Sequence, residues 1–271
     1  MNWFKATAII WFRELIHLWR DRLRMLGALM IPFMWLVMFG SGISSSLQFS
    51  GPEAIGNFKY VKFLFPGVLG VTVLFTSIFS AVAIVADREF GFLKEIFVAP
   101  IPRSSIAIGR ILGGATVATI QGMLMLILLP LVGLPLKINL LALVPPIFLF
   151  ALLITSIGVV ISAKIKSMEG FQTIMQFITF PMFMLSSALF PLRNAPGWLE
   201  LLSKINPATY GIDLLRKIAF RIFAVPEILT AHFSTSLFNV TLTIWDDVLI
   251  LALVTGIMII AATRLFQNQE I

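Results

Sequence analysis

The 271-residue chain contains no cysteine, which excludes disulfides, thiolate nucleophiles and cysteine-ligated metal. Its two histidines, His17 and His232, lie far apart in the chain, which argues against a histidine-based metal cluster. Charge is scarce, at 12% of residues. All thirteen acidic residues can be placed in loops, at interfaces or at the ends of apolar runs. Paired acids in mid-membrane, which a proton pump or an aspartyl protease needs, are therefore missing. There is no G-x-x-x-x-G-K-S/T phosphate loop, no H-E-x-x-H and no G-x-S-x-G elbow, so neither ATP binding by that route nor these hydrolytic chemistries are expected. With no general base or nucleophile in a recognisable setting, the expected work is conformational, driven by energy from outside the chain.

What the sequence has in abundance is apolar length. It is 59% hydrophobic with a mean hydropathy of +0.98, and its apolar runs are long enough to cross a bilayer. This describes an all-α integral membrane protein with no stretch suited to a soluble domain. Six spans are predicted, at about 25–47, 63–86, 106–133, 140–163, 170–190 and 248–266. The net charge of +7 fits retention of loops beside an anionic inner leaflet better than nucleic acid binding. Twelve of the twenty Lys and Arg residues fall on the side that holds both termini and the segment after span two, eight on the other. That bias places both termini in the cytoplasm.

Residues 1–24 precede the first span. On a helix, Phe4, Ala8, Trp11, Leu15, Leu18 and Trp19 form one face, while Arg13, His17, Arg20 and Arg24 form the other. That pattern predicts an amphipathic helix lying in the membrane interface rather than a signal peptide, with a soluble helix packed on a partner as the alternative. His17 reads as an ordinary member of the charged face. Within the spans, Thr72, Thr76 and Ser80 line one stripe of span two, Gln121 sits in mid-span three, and Gln172 and Gln176 lie in span five. These six are the candidate substrate-pathway residues, although hydroxyls bonded within their own helix are the more common arrangement. Gly109-x-x-x-Gly113 and Gly114 open span three and predict a close helix approach.

Between spans two and three lies the most charged interruption, Asp87 to Arg110. Residues 87–105 form its core. A short helix is predicted over 89–99, with Phe92 and Ile96 on one face, Leu93 and Phe97 beside them, and Glu89, Lys94 and Glu95 polar. Pro100 and Pro102 end it. Exposed aromatics in so long a loop suggest a surface gripped by a partner, the alternative being a loop that dips into lipid. A smaller charged turn runs from Lys164 through Lys166 to Glu169. Before the last span, residues 190–222 alternate turns with two short amphipathic helices, at about 196–204 and 207–222, that are too short and charged to span and read as an outer re-entrant hairpin. Asp246 and Asp247 read as the N-terminal cap of the last span.

These features together resemble the membrane subunits of type-2 ATP-binding-cassette exporters. Three parts carry the resemblance: the N-terminal amphipathic helix, the D-R-E-x-G-x-x-K-E-I stretch with its prolines and Gly109-Arg110, and the outer segment. In that outer segment the matching positions are Phe190, Pro191, Pro196, Trp198, Leu199, Asn206, Pro207, Tyr210, Asp213 and Arg216. The chain departs from the family where it has Gly91-Phe92 and Ala99-Pro100 in place of the frequent Gly-Thr and Thr-Pro. The importer branch's E-A-A…G signature is absent. The resemblance implies a dimer of permeases, expected to be identical copies, with two cytoplasmic ATPase subunits that carry ATP and Mg. The permease itself is then expected to bind no cofactor. It also implies that 89–99 is a coupling helix, in which Phe92, Leu93, Ile96 and Phe97 supply burial and Glu89, Lys94 and Glu95 orientation, with Lys166 at a second contact. The outer hairpin would act as a lid. Uncharged span interiors predict export of an amphipathic or lipid-like substrate, such as a drug, lipid or glycolipid. A lipid-linked polysaccharide is the alternative, and a passive channel or membrane scaffold is the alternative of another class.

Overall fold

The computed structural model describes residues 2–46, 60–92, 101–189, 196–225, 236–237 and 240–268. Ten α-helices are present among them: α1 (Trp3–Arg20), α2 (Arg22–Ser46), α3 (Tyr60–Ser80), α4 (Val82–Glu89), α5 (Arg103–Ile127), α6 (Val144–Ser162), α7 (Met168–Met184), α8 (Gly197–Ile205), α9 (Pro207–Ile222) and α10 (Ile244–Gln267). A two-residue antiparallel pair joins β1 (Ser236–Leu237) to β2 (Val240–Thr241).

Four helical stretches are long and apolar enough to cross a membrane: Val61–Glu89, Arg103–Ile127, Ile138–Ser162 and Ile244–Gln267. A fifth is reached if Trp3–Arg20 and Met25–Phe39, bent by 70° at their junction, count as one. The protein is thus a multi-pass helical membrane protein, and the expected count of six is not reached by length. The expected first span, 25–47, counts only jointly with the N-terminal helix, and the expected fifth, 170–190, is too short. Helix α7 has 17 residues, about 26 Å at 1.5 Å per residue, against a hydrocarbon core of about 30 Å. It stops at Leu185 because the chain turns, and Ser187 takes a left-handed φ of 52°.

Helix α3 is the hub. It packs against α2, α5, α6, α7 and α9, and Phe63, Leu64, Phe65, Leu69, Val73, Leu74 and Ile78 are buried along it. Helix α10 lies at the edge, with 17% of its apolar window buried against 67% for α3–α4. Its exposed Leu249, Leu253, Ile257 and Ile260 form a face suited to lipid.

The N-terminal helix is amphipathic but faces differently from the expectation. Its buried line is Ala6, Thr7, Ile10 and Glu14, laid along α5, while Phe4, Phe12 and Trp19 point away from the protein. The glycines of α5 explain the approach. A Cβ on Gly109 would stand 2.8 Å from Ile10 Cβ, and one on Gly113 would stand 2.5 Å from Glu14 Cγ. The small-residue motif is therefore filled within the chain. Trp3 Nε1 donates to Ser104 Oγ at 3.2 Å and Trp11 Nε1 to Thr116 Oγ1 at 3.0 Å, which fix the register.

Candidate permease site

Three groups of polar residues stand out against the apolar packing. The first joins α1, α4 and α5 at the end where the 87–110 stretch begins. Arg110, 5% exposed, binds Glu14 through one guanidinium nitrogen and Asp87 through the other. Arg13 closes the group on the second oxygen of Asp87 at 2.8 Å. Two cations and two carboxylates balance, as burial requires. The sequence reading had put these residues at interfaces and span ends. One signal was available, since Arg110 is the only charged residue between 104 and 127 and a charge that deep needs a partner.

Next to it, the start of the 87–105 segment is clamped onto the α6–α7 turn. Arg88 donates to the carbonyls of Ser162 and Ile165 at 2.9 and 2.6 Å, satisfying the open end of α6. Glu89 accepts from Met168 N–H at 2.8 Å, at the start of α7. Its carboxylate thus lies against the chain's own second turn, whereas Lys166 and Phe92 are exposed. Leu93, Lys94, Glu95, Ile96 and Phe97 lie outside the described residues.

The second group holds α8 and α9 against α3, α7 and α10. Asn206 caps α9 by accepting from Ala208 N–H at 3.1 Å and donates to Met182 O at 2.7 Å. Pro207 follows at the first helical position, where its missing N–H costs nothing. Tyr210 donates to Lys204 O at 2.5 Å. Burial, then the Asp247 carboxylate, pushes its phenol above the ordinary range, so it stays a neutral donor. Arg216, fully buried, donates to Ser187 O at 2.5 Å and lies 4.5 Å from the centre of the Phe63 ring. Asp213 and Asp247 share Lys217, at 2.8 and 2.5 Å. Trp198, by contrast, is exposed with Leu201 and Ile205 on α8. Pro191 lies outside the described residues. The expected cap of the last span is corrected here. Thr243 is the cap, Asp246 completes a capping box with it, and Asp247 turns inward to Lys217. Only Asp246 can reach back to the cap from the third helical position.

The third feature is a cavity of about 790 Å³ between α1, α2, α3, α4, α5 and α7. Its lining joins the polar Arg13, Glu14, His17, Asp21, Asp87 and Arg110 to the aromatic Trp35, Phe75, Phe79, Phe180 and Phe183. Three of the six expected pathway residues, Thr76, Ser80 and Gln121, line it. Thr76 donates to Gln121 Oε1, and Ser80 to Ser77 O at 2.6 Å. Thr72 is buried, bonded to Val68 O at 2.9 Å within its own helix. Gln172 and Gln176 are exposed on the outer face of α7, away from this cavity.

The model of the family described as ABC-2 type transporter matches residues 5–220, a stretch that includes the ionic group, the cavity, α8 and most of α9. The chain belongs to that family. It is accordingly an ABC transporter permease, a membrane subunit whose family implies association with an ABC ATPase partner. A protein of Cyanophora paradoxa assigned as transport permease ycf38 is 29% identical over 75% of this chain and 70% of its own length. One of Mycobacterium tuberculosis assigned as doxorubicin resistance ABC transporter permease DrrC is 24% identical over 80% and 78%. Nodulation protein J of Rhizobium meliloti is 25% identical over 71% and 72%. Permeases of this family lack an ATPase site of their own, in keeping with the missing phosphate loop.

Proposed function

We propose that this permease exports an amphipathic, drug-like or lipid-like substrate outward across the cytoplasmic membrane of a prokaryote. The cavity carries this reading. Its lining is rich in aromatic side chains, and the charges in it are largely paired with one another, so it favours a molecule without a strong net charge. The doxorubicin-resistance assignment of the Mycobacterium tuberculosis relative agrees with a drug-like substrate. In this reading both termini and the 87–105 segment are cytoplasmic, and six passes are completed by α7 together with the turn that follows it. Two permease chains, identical in the simplest case, pair with two ATPase subunits that bind ATP and Mg, while the permease binds no cofactor.

The 89–99 segment is the coupling element, and Lys166 supports a second contact. Arg88 and Glu89 tie its start to the α6–α7 turn, so a push from the ATPase reaches both at once. The helices over 190–222 close the outer end. A ligand shifts such an equilibrium only by binding the two states differently, and ATP acts here through the ATPase surface.

Co-purification of the tagged chain with its ATPase, with and without Phe92→Ala plus Ile96→Ala, tests the coupling. Loss of the ATPase in the double variant supports the assigned contact; retention moves the contact elsewhere. ATP-dependent accumulation of a neutral amphipathic dye in inverted vesicles tests direction, and depletion instead of accumulation would overturn export.

A further inference from the structure

We infer that Gln121 and Thr76 form the recognition point of the cavity for an uncharged, flat aromatic molecule that carries a carbonyl acceptor. This rests on the permease reading above and deepens it. Thr76 Oγ1 donates to Gln121 Oε1, and that is the only hydrogen bond of Gln121 among the described residues. The amide oxygen is thereby occupied, and the two N–H donors of the same side chain are left for the cavity that it lines. Gln121 is 3% exposed and lines the cavity. Ser80, the other hydroxyl on this wall, is spent on Ser77 O. A ligand carbonyl thus meets the Gln121 amide beside the aromatic part of the lining, an arrangement that discriminates against analogues lacking the acceptor.

Flatness follows from the walls. Phe75 and Phe79 lie with ring planes 13° apart and centres 6.3 Å apart. Phe183 packs against Trp35 at 5.3 Å and Phe75 at 6.2 Å. Aromatic side chains of this kind favour stacked or edge-on ring ligands. Neutrality follows from the charged part of the lining, where Arg13 and Arg110 are already paired with Asp87 and Glu14. A charged ligand would have to open one of these pairs; a neutral one passes them intact.

The test uses the full chain in phosphatidylcholine nanodiscs and reads quenching of tryptophan emission by pyrenes, with Trp35→Phe defining the part that originates in the cavity. The probes are 1-acetylpyrene, which carries one carbonyl, pyrene, which carries none, and the charged 1-pyrenesulfonate. The native chain is expected to bind 1-acetylpyrene saturably and about tenfold more tightly than pyrene, as one well-placed hydrogen bond provides. Gln121→Leu is expected to bring that ratio to about one and leave pyrene binding as it was. Gln121→Met serves as a second variant if Gln121→Leu fails to fold. Equal binding of 1-acetylpyrene and pyrene by the native chain overturns the inference, as does a parallel loss of both in the variant. Tighter binding of the sulfonate overturns neutrality. ATPase co-purification on the same preparations separates the two levels: loss of selectivity with the ATPase retained refutes only this inference, and an ATPase absent throughout refutes the permease coupling beneath it.

Discussion

A Cβ placed on Gly113 would stand 2.5 Å from Cγ of Glu14, so the N-terminal helix reaches its ion-pair partner only because that residue has no side chain. Gly113→Ala is expected to push α1 off α5 and weaken the bond from Glu14 to Arg110. Overpacking of this kind costs about 1–3 kcal/mol. Gly256→Ala on α10 is the control, since nothing lies within 4 Å of that position, and it should be neutral or slightly stabilising. Thermal unfolding of the two variants in one detergent checks the contrast.

Arg110→Leu strands the buried Glu14 carboxylate and leaves Asp87 with Arg13 alone. Breaking a buried ion pair from one side costs about 3–5 kcal/mol, and the variant should melt at a clearly lower temperature than the native chain. Adding Glu14→Gln and Asp87→Asn removes the uncompensated charge and should recover a substantial part of the loss. A triple variant as unstable as the single one would show that Arg110 acts through packing alone.

At the other end, Lys217→Met removes the single ammonium that Asp213 and Asp247 share. It should destabilise the contact of α9 with α10 more than Lys204→Met does, because Lys204 pairs with Glu200 on the exposed surface of α8 and such pairs contribute about 0–1 kcal/mol. Limited proteolysis between residues 225 and 243, compared across the two variants, reads the loosening. Equal susceptibility would contradict the assigned role.

Tyr210 predicts an alkaline effect. Its phenol is held above the ordinary value by burial and by Asp247, so the native state keeps the proton more tightly than the unfolded chain does. Stability is then fully present below about pH 10 and falls as pH climbs from there through the raised native value. Tyr210→Phe cannot titrate and should flatten the part of the slope due to this group. Melting temperatures between pH 9 and 11 for the two proteins supply the measurement.

Much of the fold was legible because it depends on local pattern. The boundaries of α8 and α9 follow from Pro196, Asn206 and Pro207, whose backbone preferences act within a residue or two. The apolar runs of α3, α5, α6 and α10 announce themselves by length. The candidate site was legible only in part. Thr76, Ser80 and Gln121 were found as polar residues in apolar helices, but nothing local distinguishes them from Thr72, which is bonded to its own helix, or from Gln172 and Gln176, which face outward. Asp87 and Glu14 read as loop and interface charges because their partner Arg110 lies 23 and 96 residues away.

The sequence alone determined that this is a multi-pass helical membrane protein, since hydrophobic length is a property of the chain as written. The tertiary structure decided which charges neutralise one another, which glycines receive a neighbouring helix, and which polar side chains share a cavity. These are choices among partners distant in sequence. They are made by the high cost of leaving a buried charge or amide unpaired, a cost that arises only once the helices have come together.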